Sequence, residues 1–350
     1  MRTLLALALL ALGACATAPE PPRWSIVIHG GAGVIERENL TPEMEARYRA
    51  ALGEALSIGS EILDGGGSSL DAVEAAIGYL EDNDLFNAGR GAVFTAEGRN
   101  ELDASFMDGR TRAGGAVAGV TRVRHPITLA RRVMELSPHV MLIGDGAEAF
   151  ARAQNVEAVE PAYFFTDRRW RQLEDFLRRN NLPIPPRPVG APGPQALHDV
   201  APDDHQFGTV GVVAYDRNGD IAAGTSTGGT TGKRWGRVGD APIIGAGTYA
   251  QNGVCGVSAT GTGEFFIRVG VARMICARME LNGESAQQAA DRVIAEVGAT
   301  TNAAGAAGDG GVIVLDGRGG YAWAMNTPGM YRAAQSAGGA PVIHIFADEQ

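Results

Sequence analysis

Gly208-Thr209-Val210-Gly211-Val212-Val213-Ala214-Tyr215 is the densest apolar strand in the chain, and its two flanks decide how the rest is read. Upstream, the texture changes at about residue 159. Arg168-Arg169-Trp170-Arg171 and Arg178-Arg179 fall on one amphipathic stretch, which reads as a solvated helix face. Pro183 to Pro194 then holds six prolines and two glycines, followed by polar and acidic residues from His198 to His205. That composition describes a mobile linker, and residues 159–208 are expected to serve as one. A tether that runs straight into a buried strand is an unusual junction.

Downstream, Val210–Tyr215, a turn at Asp216-Arg217-Asn218-Gly219 and Ile221–Thr225 read as strand, turn, strand. Gly311–Leu315, Asp316-Gly317-Arg318-Gly319 and Tyr321–Met325 repeat the pattern. Two helices are predicted between them, Glu264 to Met279 and Glu284 to Glu296. The first half has the same rhythm. Trp24–His29 is a strand ending in the knot Gly30-Gly31-Ala32-Gly33. Met44 to Leu63 is a helix stopped by Gly65-Gly66-Gly67. A second helix opens at Ser68-Ser69-Leu70-Asp71, with Val73, Ile77 and Leu80 on one face. Short strands through Met107 and helices at Pro126–Leu136 and Gly144–Ala153 follow. Strand pairs alternating with helix pairs predict antiparallel sheets covered by helices on their outer faces, an α+β layered sandwich.

The chain has 350 residues, a net charge of −10 and 49 glycines. The acidity argues against nucleic acid as a partner. The glycine content is roughly twice the usual share and falls in short knots, as expected where backbone lines a site. At the N-terminus, Met1-Arg2-Thr3 precedes nine apolar residues, Leu4–Leu12, too few to span a bilayer and right for a signal sequence. Leu12-Gly13-Ala14-Cys15 resembles a bacterial lipobox. Residues 1–14 are therefore expected to be removed and Cys15 lipidated, with ordinary cleavage near Ala14 or Ala16 as the alternative. Either way the protein is exported, to the periplasm or to a bacterial membrane through a lipid anchor. Cys255 and Cys276 lie in apolar contexts and read as two buried free thiols, although export also permits a disulfide. No Cys/His spacing suits zinc.

Three motifs invite chemistry. Gly224-Thr225-Ser226-Thr227-Gly228 has the G-x-S-x-G form of an esterase nucleophile elbow, with Asp309 and His344 in order to complete a triad. An elbow needs a helix directly after it, and Gly229–Gly236 is loop chemistry. Gly232-Lys233 suggests a phosphate loop, but Thr227 and Arg234 stand where glycine and Ser/Thr are required. The third is Gly208-Thr209. A threonine hydroxyl is a weak nucleophile, but at a chain start its own α-amine, with a pKa of about 7.7–8, serves as the base. Cleavage after Gly208 would create that start. A buried strand threonine is the competing reading, and spacing alone favours it.

The wider sequence resembles the plant-type asparaginase/isoaspartyl peptidase family. The resemblance is carried in order by His29-Gly30-Gly31-Ala32-Gly33, Phe86-Asn87-Ala88-Gly89-Arg90-Gly91-Ala92-Val93-Phe94, Glu101-Leu102-Asp103-Ala104-Ser105 and Ser137-Pro138-His139-Val140. Gly208–Gly211, Thr225–Gly229, Gly236-Arg237-Val238-Gly239-Asp240 and Thr260-Gly261-Thr262-Gly263-Glu264 complete it. It implies an N-terminal-nucleophile hydrolase, a four-layer αββα sandwich made as a precursor that cuts itself before Thr209. The products would be an α chain of residues 15–208 and a β chain of residues 209–350, together one domain.

The resemblance also implies roles. Thr209 attacks and Thr227 supports it. Thr260 and Gly261 stabilise the oxyanion. Arg237 takes the substrate α-carboxylate, while Asp240 and the Gly263 carbonyl take its ammonium, and Asn87 stands just behind the site. No cofactor is needed for catalysis. A structural sodium ion is expected on the backbone carbonyls of Leu80, Glu81, Asn83, Phe86, Ala88 and Arg90. The implied assembly is a dimer of αβ units, and the implied substrates are β-aspartyl peptides and L-asparagine. Glycosylasparaginase is the rival within the fold, but it carries Asp before the nucleophile and TGNGD where this chain has Gly208 and Thr260–Glu264.

Overall fold

A computed structural model describes residues 23–193 and 208–349. The expected signal sequence, Cys15 and the polar end of the expected linker, 194–207, lie outside the described residues. Side-chain hydroxyls start the first helical pair: Thr41 accepts from Met44 N to open α1 (Pro42–Asp64), and Ser68 accepts from Asp71 N to open α2 (Ser69–Asp82). Four helices predicted from periodicity and caps appear with nearly the expected bounds, the other two being α3 (Pro126–Leu136) and α4 (Gly144–Ala153). A fifth, α5 (Asp167–Arg179), occupies the basic stretch before the nucleophile strand. The single helix predicted from Glu264 is divided by Gly270, which takes φ +68°, into α6 (Gly263–Val269) and α7 (Val271–Asn282). The last helix, α8 (Ala286–Ala299), begins on a capping box between Ser285 and Gln288.

The strands are β1 (Ser25–Gly33), β2 (Leu102–Asp108), β3 (Gly114–Val120), β4 (Met141–Ile143), β5 (Val210–Tyr215), β6 (Ile221–Thr227), β7 (Thr248–Gln251), β8 (Cys255–Gly261), β9 (Gly310–Asp316), β10 (Tyr321–Met325), β11 (Gly329–Ser336) and β12 (Val342–Phe346). They form an eight-stranded sheet, β12-β11-β1-β5-β6-β2-β3-β4, and a four-stranded sheet, β10-β9-β8-β7. Every pairing is antiparallel except β3 with β4. Helices α1, α2 and α3 cover the outer face of the large sheet, and α7 and α8 cover the small one. The inner faces pack on each other. This is the expected αββα sandwich.

Two apolar cores follow from the layering. One lies between the large sheet and its helices, with Ile26, Leu52, Val73, Ile77, Phe106 and Val212 fully buried. The other joins the sheets and the second helical layer, with Val213, Val257, Ile275, Val293 and Val314. Val212 and Val213 are neighbours in β5 and belong to different cores, the consequence of period-two alternation in a strand covered on both faces.

Three expectations need correction. The first strand does not stop at its glycine knot. It continues to Gly33 through a bulge at Gly30, where the register with β11 jumps from His29↔Arg332 to Gly31↔Tyr331. The basic stretch is a solvated face only at Arg178 and Arg179, its start at Arg169 and Trp170 being buried, and the start of the expected linker is not a tether. Trp170, Leu173 and Leu177 of α5 pack with Phe94 and Phe165 in a third apolar cluster, and Arg169 is buried with its Nε donating to Gly91 O at 2.7 Å. Gly98 packs against Pro185 and Trp170, and Arg187 pairs with Asp167. Finally, Cys255 and Cys276 are not free thiols. β8 and α7 pack with those Cα atoms 5.6 Å apart, and the two form a disulfide.

Candidate active site

β5 lies between β1 and β6 near the middle of the large sheet, and Thr209 is the residue directly before its start at Val210. Thr209 Oγ1 is 2.8 Å from the Gly208 carbonyl oxygen and 3.2 Å from Thr227 Oγ1, which stands at the end of β6. Thr227 Oγ1 in turn accepts from Gly229 N and donates to Gly208 O, each at 3.0 Å. The same carbonyl oxygen accepts from Asn87 Nδ2 at 2.9 Å. Two donors therefore converge on the oxygen of the peptide bond preceding Thr209, where negative charge develops if Thr209 attacks that carbonyl. Close packing leaves no room for side chains: a Cβ on Gly31 would lie 3.0 Å from Gly208 Cα, and one on Gly208 would lie 3.0 Å from Asn87 Cβ.

His29, quoted in a motif but given no role by the sequence, holds Thr209 from behind. Its Nδ1 is 3.1 Å from Thr209 O and its Nε2 2.9 Å from Ser258 Oγ. Complete burial pushes its pKa down to about 3, so the ring is neutral and donates through Nδ1 to the carbonyl. Gly211 must be glycine, since a Cβ there would come 1.9 Å from Ser258 Oγ and 2.2 Å from His29 Nε2. From Ser258 a buried chain of hydroxyls, Thr225, Thr248 and Ser105, crosses between the sheets to Ala241 O.

The remaining site residues come from the small-sheet side. Thr260, next to last in β8, is fully buried, and its Oγ1 accepts from Ala32 N at 3.3 Å, which leaves its own proton to donate. Gly261 adopts φ +151° and packs on Asp309 O and Gly310 Cα, a position closed to any side chain. Gly263 abuts the Asp240 carboxylate, where a Cβ would stand 2.8 Å from Oδ1. Asp240 is buried, and its Oδ2 has no hydrogen-bond partner among the described residues. Burial pushes its pKa up to about 7. A buried carboxylate oxygen without a donor is an acceptor waiting for a cation.

Arg237 donates from Nε and Nη2 to the two oxygens of Glu264, both at 2.9 Å. Burial opposes its charge, but Glu264, with Asp240 and Asp103 further off, holds its pKa above the ordinary value.

Lys233, rejected as part of a phosphate loop, also has its place. It is buried, donates to Glu101 O at 2.8 Å and faces Asp103 Oδ2 at 3.8 Å. Asp103 pairs with Thr227 across β2 and β6. Its position inside an apolar strand was the only sequence signal for this pair. α5 steadies the same region: Phe176 packs where a Cβ on Gly232 would stand, and Arg168 donates to Asp84 O and Leu85 O beside Asn87.

The esterase alternative fails on this geometry. Ser226 is buried on the helix side of β6, donating to Glu81 at 2.6 Å. His344 lies on β12, four strands away in the sheet, which is roughly 19 Å at normal strand spacing. Asp309 bonds Thr262 instead.

A family profile described as asparaginase matches residues 22–345. The chain belongs to the asparaginase family. It is similar to the isoaspartyl peptidase of Salmonella typhimurium, 47% identical over 92% of this chain and 98% of that one. Isoaspartyl peptidase of Escherichia coli is 46% identical over 93% and 96% of the two chains. The plant-type L-asparaginase of Pyrococcus abyssi is 39% identical over 90% and 97%. Membership makes the chain a hydrolase, and the αββα layering fits the N-terminal-nucleophile architecture of this family.

Proposed function

We propose that this asparaginase-family hydrolase cleaves β-aspartyl (isoaspartyl) peptides and L-asparagine after cutting its own chain between Gly208 and Thr209. The convergence of Asn87 Nδ2 and Thr227 Oγ1 on Gly208 O, with Thr209 Oγ1 alongside, carries the reading. In the first reaction Thr209 Oγ adds to the Gly208 carbonyl carbon. Negative charge on the oxygen is met by Asn87 and Thr227, and the C–N bond breaks. The Gly208 acyl group passes to Oγ as an ester, and water hydrolyses it. Thr209 is left with a free α-amine to act as base.

In the second reaction the end edge of Arg237 receives the substrate α-carboxylate, and Asp240 with the Gly263 carbonyl receives its ammonium. An arginine and an aspartate three residues apart thereby fix both charges of an α-amino acid. The β-carbonyl lies over Thr209, with Thr260 and Gly261 as donors to its oxygen. Attack releases ammonia or an amino acid, and water then frees aspartate. The names of the three relatives support both substrates.

A sodium ion on the carbonyls of Leu80, Glu81, Asn83, Phe86, Ala88 and Arg90 fits the loop's tight winding. A Cβ on Gly89 would come 2.2 Å from Glu81 O, and one on Gly91 2.0 Å from Phe86 O, so glycine is needed for those carbonyls to gather. Such an ion would stiffen the segment that presents Asn87. The exposed Val140, directly before the edge strand β4, and Met141 and Ile143 within it support a dimer of αβ units. Export is supported by the apolar run Leu4–Leu12, which precedes the family match, and by the disulfide. Lipidation at Cys15 would make the anchor.

A denaturing gel with N-terminal sequencing tests the central claim. Two fragments are expected, the second beginning at Thr209, with Thr209→Ala remaining whole and inactive. An intact wild-type chain, or a fragment beginning elsewhere, overturns it. Hydrolysis of β-aspartyl dipeptides, asparagine and glycosylated asparagine, compared side by side, then ranks the substrates.

A further inference from the structure

A guanidinium offers a carboxylate two edges with paired donors, Nε with Nη2 and Nη1 with Nη2. Glu264 fills the first edge of Arg237 completely, with one oxygen on each nitrogen at 2.9 Å. The second edge faces Gly229 and Gly239. A Cβ on Gly239 would stand 2.8 Å from Nη1 and 3.2 Å from Nη2, and one on Gly229 would stand 3.5 Å from Nη1. One edge is occupied by a carboxylate of the chain, and the other is kept clear by two residues without side chains.

We propose that Glu264 is a positioning residue: it holds Arg237 by its side edge so that the end edge meets the substrate α-carboxylate. The inference rests on the clamp role proposed for Arg237. Two other carboxylates, Asp240 and Asp103, also attract that guanidinium. Without Glu264, Arg237 is free to turn toward Asp240 and to take the charge that the substrate ammonium requires. Glu264 lies in the first turn of α6, directly after Gly263, so it ties the loop carrying Arg237 to the end of β8, which carries Thr260 and Gly261. The cost is a like charge near the incoming carboxylate. The Glu264 side chain is 56% exposed against 18% for Arg237, so solvent and salt screen its charge while its grip on the half-buried fork persists.

Self-cleavage provides an internal control, because the Gly208–Thr209 bond presents no α-carboxylate to the clamp. The full-length Glu264→Ala and Glu264→Gln variants are assayed with asparagine and a β-aspartyl dipeptide. Each is expected to cut at Gly208–Thr209 at the wild-type rate. KM should rise on the order of tenfold in Glu264→Ala, the scale of a misaligned charge-assisted pair, with kcat within about twofold. In an Arg237→Ala background, adding Glu264→Ala should change nothing further. A KM that stays the same or falls overturns the proposal, as does an effect that persists without Arg237. Loss of self-cleavage in both variants marks a purely structural role and overturns it too. If Arg237→Ala alone leaves KM unchanged, the clamp reading fails and this inference fails with it. An unchanged KM in Glu264→Ala beside a raised one in Arg237→Ala sinks only the inference.

Discussion

Asn87 commits all three of its hydrogen bonds to the site. Its amide nitrogen donates to Gly208 O and Gly229 O, and its oxygen accepts from Val93 N. It therefore supports the carbonyl under attack and the turn after Thr227 together. Asn87→Asp keeps the shape but places an acceptor against both carbonyls. Self-cleavage should slow by about 10²–10³, the usual consequence of losing one oxyanion donor. A gel time course reads it, and a wild-type rate would remove Asn87 from the reaction. Asp240 sets a different expectation. With its pKa raised to about 7 in the free enzyme, the carboxyl is neutral below that pH and ionised above it. Only the ionised form accepts the substrate ammonium, so kcat/KM should fall as pH drops below about 7. Asp240→Asn should remove the part of the fall centred at about 7, leaving only that of the Thr209 α-amine at about 7.7–8, and should cost most of the affinity. His29, neutral down to about 3, contributes no limb in this range. A limb that stays at about 7 in Asp240→Asn would assign it to another group.

The elements were legible to the extent that their signals were local. Caps and periodicity located α1, α2, α3 and α4, and turn chemistry located β5–β6 and β9–β10. The division at Gly270 was not legible, because an isolated glycine within a helical pattern is tolerated as often as it breaks one. α5 was recognised as a helix but assigned to solvent, since its buried Arg169, its half-buried Arg168 and its Trp170 find their partners in residues 84–94 around Asn87, far off in sequence. Thr209, Thr227, Arg237 and Asp240 were visible as motifs. His29 belonged to a quoted motif yet had no role, because only the fold brings it to Thr209 O, and the Lys233–Asp103 pair was likewise a product of folding. The disulfide was undecidable from two apolar contexts. It closes a loop of 21 residues between β8 and α7, which should be worth about 3 kcal/mol. Cys276→Ser should lower the thermal midpoint by several degrees while leaving self-cleavage intact. A midpoint that ignores both this substitution and added reductant would show that the bond does not form in solution.

At the scale of the molecule, the large sheet interleaves the two segments that a cut after Gly208 would create. β1, β2, β3 and β4 precede the junction, and β5, β6, β11 and β12 follow it, in the order β12-β11-β1-β5-β6-β2-β3-β4. β1 is thus enclosed between two strands of the other segment. The mature protein would inherit a shape that its two pieces never had to find separately. Before the cut, folding is a search by one chain; afterwards it is an encounter between two, with β1 to be threaded between neighbours that pair with each other's flanks. Refolding of Thr209→Ala from denaturant should be independent of protein concentration up to any dimerisation step. The cut enzyme should recover slowly and in proportion to concentration, with much of it lost to aggregation. Equal recovery of both would contradict this. If the protein breaks the Gly208–Thr209 bond to become active, as proposed, that bond is also its record of how to fold, and each molecule would be able to read that record only once.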